Sequence, residues 1–121
     1  MLQLNKEQTR AAQTVDGATL VVAGAGSGKT RVITARIVHL ISNLKIDPRS
    51  IIALTFTNKA AREMKERISS MIPDVKALPF VGTFHSYCLR LLRSNPQISG
   101  ESGFSIMDSD DQASVIRKLS K

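Results

Sequence analysis

The residues Ala23-Gly24-Ala25-Gly26-Ser27-Gly28-Lys29-Thr30 gather in one stretch the types that bind phosphate. They follow an apolar run, Ala18 to Ala23, and open a helical pattern. Backbone N–H groups of Gly26, Gly28 and Lys29 can therefore converge on an anion at a helix N-terminus. Glycine lets the chain approach a ligand closely and take positive φ. Lys29 can reach β and γ phosphates as a point charge, and the Thr30 hydroxyl can complete the shell of a Mg²⁺ that bridges them. Ala23 stands where such a P-loop usually begins with Gly, and at a strand end this departure should matter little. A glycine-rich turn with an incidental lysine is the plainer reading, but it leaves the strand, loop and helix context unexplained. A dinucleotide fingerprint needs G-x-G-x-x-G, whereas the glycines here are Gly24, Gly26 and Gly28.

A phosphate ligand agrees with the charge. Seventeen Lys and Arg against ten Asp and Glu leave a formal charge of +7, which favours a polyanionic partner such as nucleic acid, nucleotide or acidic lipid. The basic residues, among them Arg31, Arg36, Lys59, Arg62, Lys65, Arg67, Arg90 and Arg93, form no long run, so solvated helix faces explain them equally well. With 42% apolar and 22% charged residues the 121-residue chain has a globular composition, and this length suffices for one compact core. The apolar stretches Leu20 to Ala23 and Ile51 to Leu54 are too short to span a bilayer, and Met-Leu-Gln-Leu-Asn-Lys is no signal peptide; a cytoplasmic protein without membrane contact is expected. The single Cys88 cannot form a disulfide within the chain or a zinc site alone and is expected to be a small buried hydrophobe.

The elements that must position the loop follow from changes in apolar period. Asn5 can cap a helix through Gln13, with Gln8 at the capping-box position. Ala18 to Ala23 reads as a buried strand. From Lys29 to about Asn43 the residues Val32, Ile33, Ile37, Leu40 and Ile41 form one helical stripe, ending before the Asp47-Pro48 turn. Ser50 to Phe56 reads as a second strand, after which Asn58 caps a helix with Ala61, Met64 and Ile68 on one face until Pro73. Phe80 to Gly82 is a short third strand, and Thr83 caps a helix carrying Phe84, Tyr87, Cys88, Leu91 and Leu92 as far as Asn95-Pro96. Gly100 to Gly103 reads as a linker, and a last helix from about Asp110 to Leu119 is capped by Asp108 or Ser109. Strands separated by helices should pair in parallel, giving a three-layer α/β fold with its ligand at the carboxyl ends of the strands.

Four segments together resemble the UvrD/Rep/PcrA family of superfamily 1 DNA helicases, with Rep-like members nearest: Leu4-Asn5-Lys6-Glu7-Gln8, the glycine-rich loop, Leu54-Thr55-Phe56-Thr57-Asn58-Lys59-Ala60-Ala61-Arg62-Glu63-Met64, and Gly82-Thr83-Phe84-His85-Ser86. The resemblance implies that Gln8 reads adenine, with Arg31 beside the nucleotide; helix capping by Gln8 is compatible with that role. It implies a base contact for Phe56 and backbone or sugar contacts to single-stranded DNA for Thr57, Asn58, Thr83, His85 and Ser86. The residues alone allow plainer roles, namely Asn58 and Thr83 as N-caps, Phe56 as core, His85 in a capping turn, and His39 as structural.

The resemblance further implies that residues 1–95 are part of a RecA-like P-loop NTPase domain, a parallel sheet flanked by helices, and that residues 96–121 hold a linker and the first helix of an inserted helical subdomain. ATP and Mg²⁺ are the implied cofactors, with Lys29 and Thr30 in the catalytic machinery. Single-stranded DNA, duplex junctions and the remainder of a helicase chain are the implied partners, for a motor translocating 3′ to 5′. The family's Walker B acid and base form an Asp-Glu pair, and none occurs in this sequence. Asp108 ends a strand-like run from Phe104, but Ser109 follows it, and capping is the favoured reading. The piece alone is expected to be inactive. The alternative is a non-catalytic nucleotide-binding module or truncated paralogue; a small P-loop kinase would need an acceptor site and lid that the sequence does not offer.

Overall fold

The computed structural model describes residues 3–100 and 105–120. Two units, residues 1–87 and 88–121, are each compact. The elements in chain order are α1 (Lys6–Gln13), α2 (Lys29–Ser42), a 3₁₀ turn (Pro48–Ser50), β1 (Ile52–Thr55), α3 (Asn58–Met71), β2 (Phe80–Thr83), α4 (Phe84–Ser94), α5 (Pro96–Ser99) and α6 (Ser109–Leu119).

In the first unit β1 and β2 pair in parallel, in a register that sets Ile52 opposite Phe80 and Thr55 opposite Thr83. Helix α3 connects them and packs on both, and α2 packs on α3. The core joins Ile37 and Ile41 of α2 to Ala53 of β1, Met64 and Ile68 of α3, and Ile72, with Val38, Ile51, Val75, Leu78 and Val81 around it. Spacings of three and four along α3 (Ala61, Met64, Ile68) deliver this face. Ile68 is 1% exposed, a burial worth about 1.5–3 kcal/mol. The stripe on α2 is Val32, Thr34, Ile37 and Ile41. Ile33, expected on it, points outward, and Thr34 takes a buried place with its hydroxyl satisfied by donating to the Thr30 carbonyl at 2.9 Å.

Three other expectations are corrected. Residues 18–23 do not form a buried strand: they pair with neither β1 nor β2, and Leu20 and Val22 are 88% and 87% exposed. An apolar run becomes a strand only where a neighbouring backbone completes its hydrogen bonds, and among the described residues none does. The cap of α3 is Thr57, not Asn58: Thr57 is extended, its Oγ1 accepts from the Ala60 N–H at 3.1 Å, and Asn58 is already helical. Cys88 is exposed, because no residue of α4 is buried. The start of α4 is fixed instead by Tyr87, whose ring meets Phe80 edge-on at 5.4 Å. The Phe80 ring in turn lies over Gly82, where a Cβ would come within 2.8 Å of it.

Around the turn after α2, Asp47 accepts from the Arg49 N–H at 2.9 Å and from its guanidinium. The Arg49 side-chain bonds hold the Asp47 carboxyl below the usual carboxylate range. In the second unit, α5 is a single turn not foreseen from sequence and closes on Gly100 at φ 73°. The rest of the expected Gly100 to Gly103 linker, and Phe104, lie outside the described residues. Asp108 caps α6, its Oδ1 accepting from the Asp111 N–H at 2.8 Å, and residues 105–108 form no strand. Among the described residues no helix is long and apolar enough to cross a membrane.

Candidate functional site

The loop between Ala23 and Gly28 folds on itself before α2 begins. The Ser27 N–H and hydroxyl both donate to the Gly24 carbonyl, at 3.3 and 2.5 Å. Gly28 stands at the N-cap of α2 with φ 86°, a conformation that disfavours a side chain, and no side chain caps the helix. The first N–H groups of α2 are thus left to whatever the loop surrounds. The Lys29 ammonium lies in that space and donates to the carbonyls of Ala23 at 2.8 Å and Gly24 at 3.1 Å. Thr30, next along, is exposed.

Helix α1 forms the neighbouring wall. Its capping box is complete: Asn5 Oδ1 accepts from the Gln8 N–H at 2.8 Å, and Gln8 Oε1 accepts from the Asn5 N–H at 3.0 Å. The same Gln8 side chain donates from Nε2 to the Ser27 carbonyl at 3.0 Å. The Gln8 side chain thus joins the cap of α1 to the glycine-rich loop. Between α1 and the loop lies a cleft of ≈ 200 Å³ whose walls include Asn5, Gln8, Val22, Ala23, Ser27 and Lys29. Arg31 reaches back to the Gln3 carbonyl at 3.4 Å.

In the sequence Arg36 is one of several scattered basic residues. Its Nη1 donates to the Ala11 carbonyl at 3.0 Å and also to the Thr14 carbonyl. Its only signal in the sequence was its place off the apolar stripe of α2, which does not reveal a partner 22 residues back in the chain.

The other predicted residues collect at the carboxyl end of the strand pair. Thr55 and Thr83 end the two strands side by side, so Phe56, Thr57 and Asn58 leave one strand where Phe84, His85 and Ser86 leave the other. Phe56 is 94% exposed and Phe84 60%, which removes Phe56 from the core. Thr57, Asn58, His85 and Ser86 are exposed. Thr83 is buried: its hydroxyl lies 2.8 Å from the Ser86 hydroxyl and accepts from the Ser86 N–H at 3.2 Å. A hydroxyl and an aromatic face are thus presented on one edge, at the N-termini of two helices.

A parallel strand pair flanked by helices, with a glycine-rich turn opening one of them, defines an α/β protein compatible with part of a RecA-like fold. Comparison with known proteins is more specific: the profile of the UvrD/REP helicase N-terminal domain matches residues 4–121. The chain belongs to this family. It is 47% identical over 119 residues to the ATP-dependent DNA helicase PcrA of Staphylococcus aureus (strain Mu50 / ATCC 700699) and 45% identical to the ATP-dependent DNA helicase PcrA of Staphylococcus epidermidis (strain ATCC 12228 / FDA PCI 1200). Each alignment covers 98% of this chain and 16% of the relative, so the chain spans about one sixth of the length of these relatives.

Proposed function

We propose that this chain is the ATP-binding portion of a DNA helicase that uses ATP to move along single-stranded DNA and to open duplexes. The observation that carries the reading is the Lys29 ammonium, held 2.8 and 3.1 Å from the Ala23 and Gly24 carbonyls inside a loop at the head of a helix with no side-chain cap. A cation and free N–H groups facing one space suit the β and γ phosphates of ATP.

The loop residues Ala23, Gly24, Ala25, Gly26, Ser27 and Gly28 would surround the phosphates, with Lys29 as their cation. Gln8, and Arg31 beside it, would hold the base and sugar side. The exposed Thr30 hydroxyl fits a ligand to Mg²⁺; the ion, when bound, offsets charge on the phosphate oxygens. On the strand edge, Phe56 would stack on a base, and Thr57, Asn58, His85 and Ser86 would meet sugar and phosphate. Thr83 would act through the Ser86 hydroxyl that it holds. Translocation from 3′ to 5′ is implied by the resemblance to the family, and a cytoplasmic setting is the expectation from the sequence pattern.

The test is a thermal unfolding series with ATP and Mg²⁺. Ligand at 100-fold its Kd stabilises the folded state by about 2.7 kcal/mol, which raises the midpoint by several degrees in a domain of this size. Lys29→Ala should abolish the rise, and an unchanged rise would refute the assignment.

A further inference from the structure

We infer that Arg36 is a positioning residue for nucleotide recognition, acting through α1 and Gln8 without touching the ligand; this rests on the nucleotide reading proposed above.

Helix α1 has eight residues and buries only Ala12. A helix this short is marginal without tertiary support; α1 packs along α2, and polar tethers at its two ends set how it sits there. At the N-terminal side Gln8 Nε2 reaches the Ser27 carbonyl at 3.0 Å, and Arg31 reaches the Gln3 carbonyl at 3.4 Å. At the C-terminal side, among the described residues, Arg36 alone spans from α2, its Nη1 donating to the Ala11 carbonyl at 3.0 Å and to the Thr14 carbonyl. Both acceptors lie where a helix leaves its last carbonyls unpaired, and a cation there also meets the negative end of the helix dipole. Lys29 and Arg36 project from one helix and, with Ala11, Thr19, Val21 and Val32, line a single cleft of ≈ 330 Å³. One helix thus carries both the cation of the loop and the clamp on the element that bears Gln8. Removing the clamp frees the far end of α1 and loosens Gln8 against Ser27, while the loop and Lys29 keep their own bonds. The loss therefore falls on recognition of the base side and spares the phosphate side.

The test compares Mg²⁺·ATP with Mg²⁺·pyrophosphate by titration calorimetry on residues 1–121. Arg36→Met keeps the aliphatic stem and removes the donors, so the test survives if Arg36→Ala does not fold. Arg36→Met is expected to weaken ATP about 2- to 13-fold, the range of one neutral hydrogen bond, and to leave pyrophosphate unchanged. In a Gln8→Ala background the same substitution should have no further effect, and Arg36→Lys should recover part of the loss. Equal weakening of both ligands, parent-like ATP affinity in Arg36→Met, or additive losses with Gln8→Ala would each overturn the inference. Lys29→Ala separates this from the parent reading, because undiminished binding of both ligands in that variant would sink the nucleotide site itself.

Discussion

The Gln8 side chain links two elements: its Nε2 donates to the Ser27 carbonyl at 3.0 Å while its Oε1 accepts from the Asn5 N–H at the same distance. The two bonds can be removed separately. Gln8→Glu keeps an acceptor for Asn5, as Glu does in other capping boxes, but replaces the donor to Ser27 with a carboxylate facing a carbonyl. Gln8→Ala removes both and should cost the unliganded protein about 1–2 kcal/mol, read as a lower denaturant midpoint. If Gln8 also reads adenine, both variants bind ATP more weakly while their affinity for pyrophosphate falls less. Equal loss for the two ligands, together with the lower stability, would leave Gln8 a structural role only.

Two glycines of the loop should behave oppositely. Gly28 has φ 86°, and a Cβ there would stand 3.0 Å from Gln8 Nε2, so Gly28→Ala should destabilise the unliganded protein by about 1–2 kcal/mol. Gly24 has no atom within 4 Å of such a Cβ, so Gly24→Ala should leave the unfolding midpoint within about 0.5 kcal/mol of the parent. If the loop closes on phosphate, Gly24→Ala nonetheless weakens ATP, since the added methyl occupies space the ligand needs. Parent-like ATP affinity in Gly24→Ala would place the phosphates elsewhere.

The core gives a prediction independent of any ligand. Ile68 is 1% exposed and packs among residues from α2, β1 and α3. Ile68→Ala should cost about 2–5 kcal/mol, lowering the denaturant midpoint with little change in slope. A cost below about 1 kcal/mol would mean that α3 is not seated on the sheet as described.

Much of this arrangement was legible in the sequence because single residues decide it locally. Asn5 with Gln8 marks the start of α1, Gly28-Lys29 opens α2, and the spacing of Ala61, Met64 and Ile68 fixes which face of α3 is buried. Where two adjacent residues could both cap, as with Thr57 and Asn58, pattern alone does not choose, and the extended backbone at Thr57 settles it. The run from Ala18 to Ala23 looked like a strand because its composition is that of one, but pairing depends on another stretch of backbone, which composition does not show. Arg36 was missed for a related reason: its partners are main-chain carbonyls of a distant helix, and any residue type supplies a carbonyl.

Phe56 tests the strand edge. At 94% exposure its ring contributes little to the core, so Phe56→Ala should leave stability within about 0.5 kcal/mol of the parent. Stacking on one base is worth about 1–3 kcal/mol, so the same variant should bind a single-stranded oligonucleotide roughly 5- to 150-fold more weakly. Fluorescence anisotropy at low salt is the measurement, since an edge with few phosphate contacts should bind weakly and lose the strand as salt rises. Unchanged affinity in Phe56→Ala would remove the base contact from the proposal.

The last prediction is that residues 1–121 bind ATP but do not turn it over, with or without single-stranded DNA. Hydrolysis requires a group that orients the attacking water and positive charge that meets the developing negative charge, and an arginine supplying the latter is worth about 10³–10⁵ in rate. In the proposed site Lys29 and Thr30 would face the phosphates and provide neither a base nor such an arginine. No Asp-Glu pair occurs in the sequence, and the nearest stand-in, Asp108, has Oδ1 engaged by the Asp111 N–H at 2.8 Å as the cap of α6. A carboxylate in that position stabilises a helix end, and its neighbours Asp110 and Asp111 lie in the first turn of the same helix, where acids meet the positive end of its dipole. Phosphate release from purified protein should therefore match the no-protein background, and Asp108→Asn, which keeps the cap, should change nothing. Mg²⁺-dependent release that disappears in Lys29→Ala would show that the chain carries its own catalytic acid, and its further loss in Asp108→Asn would identify that acid as Asp108.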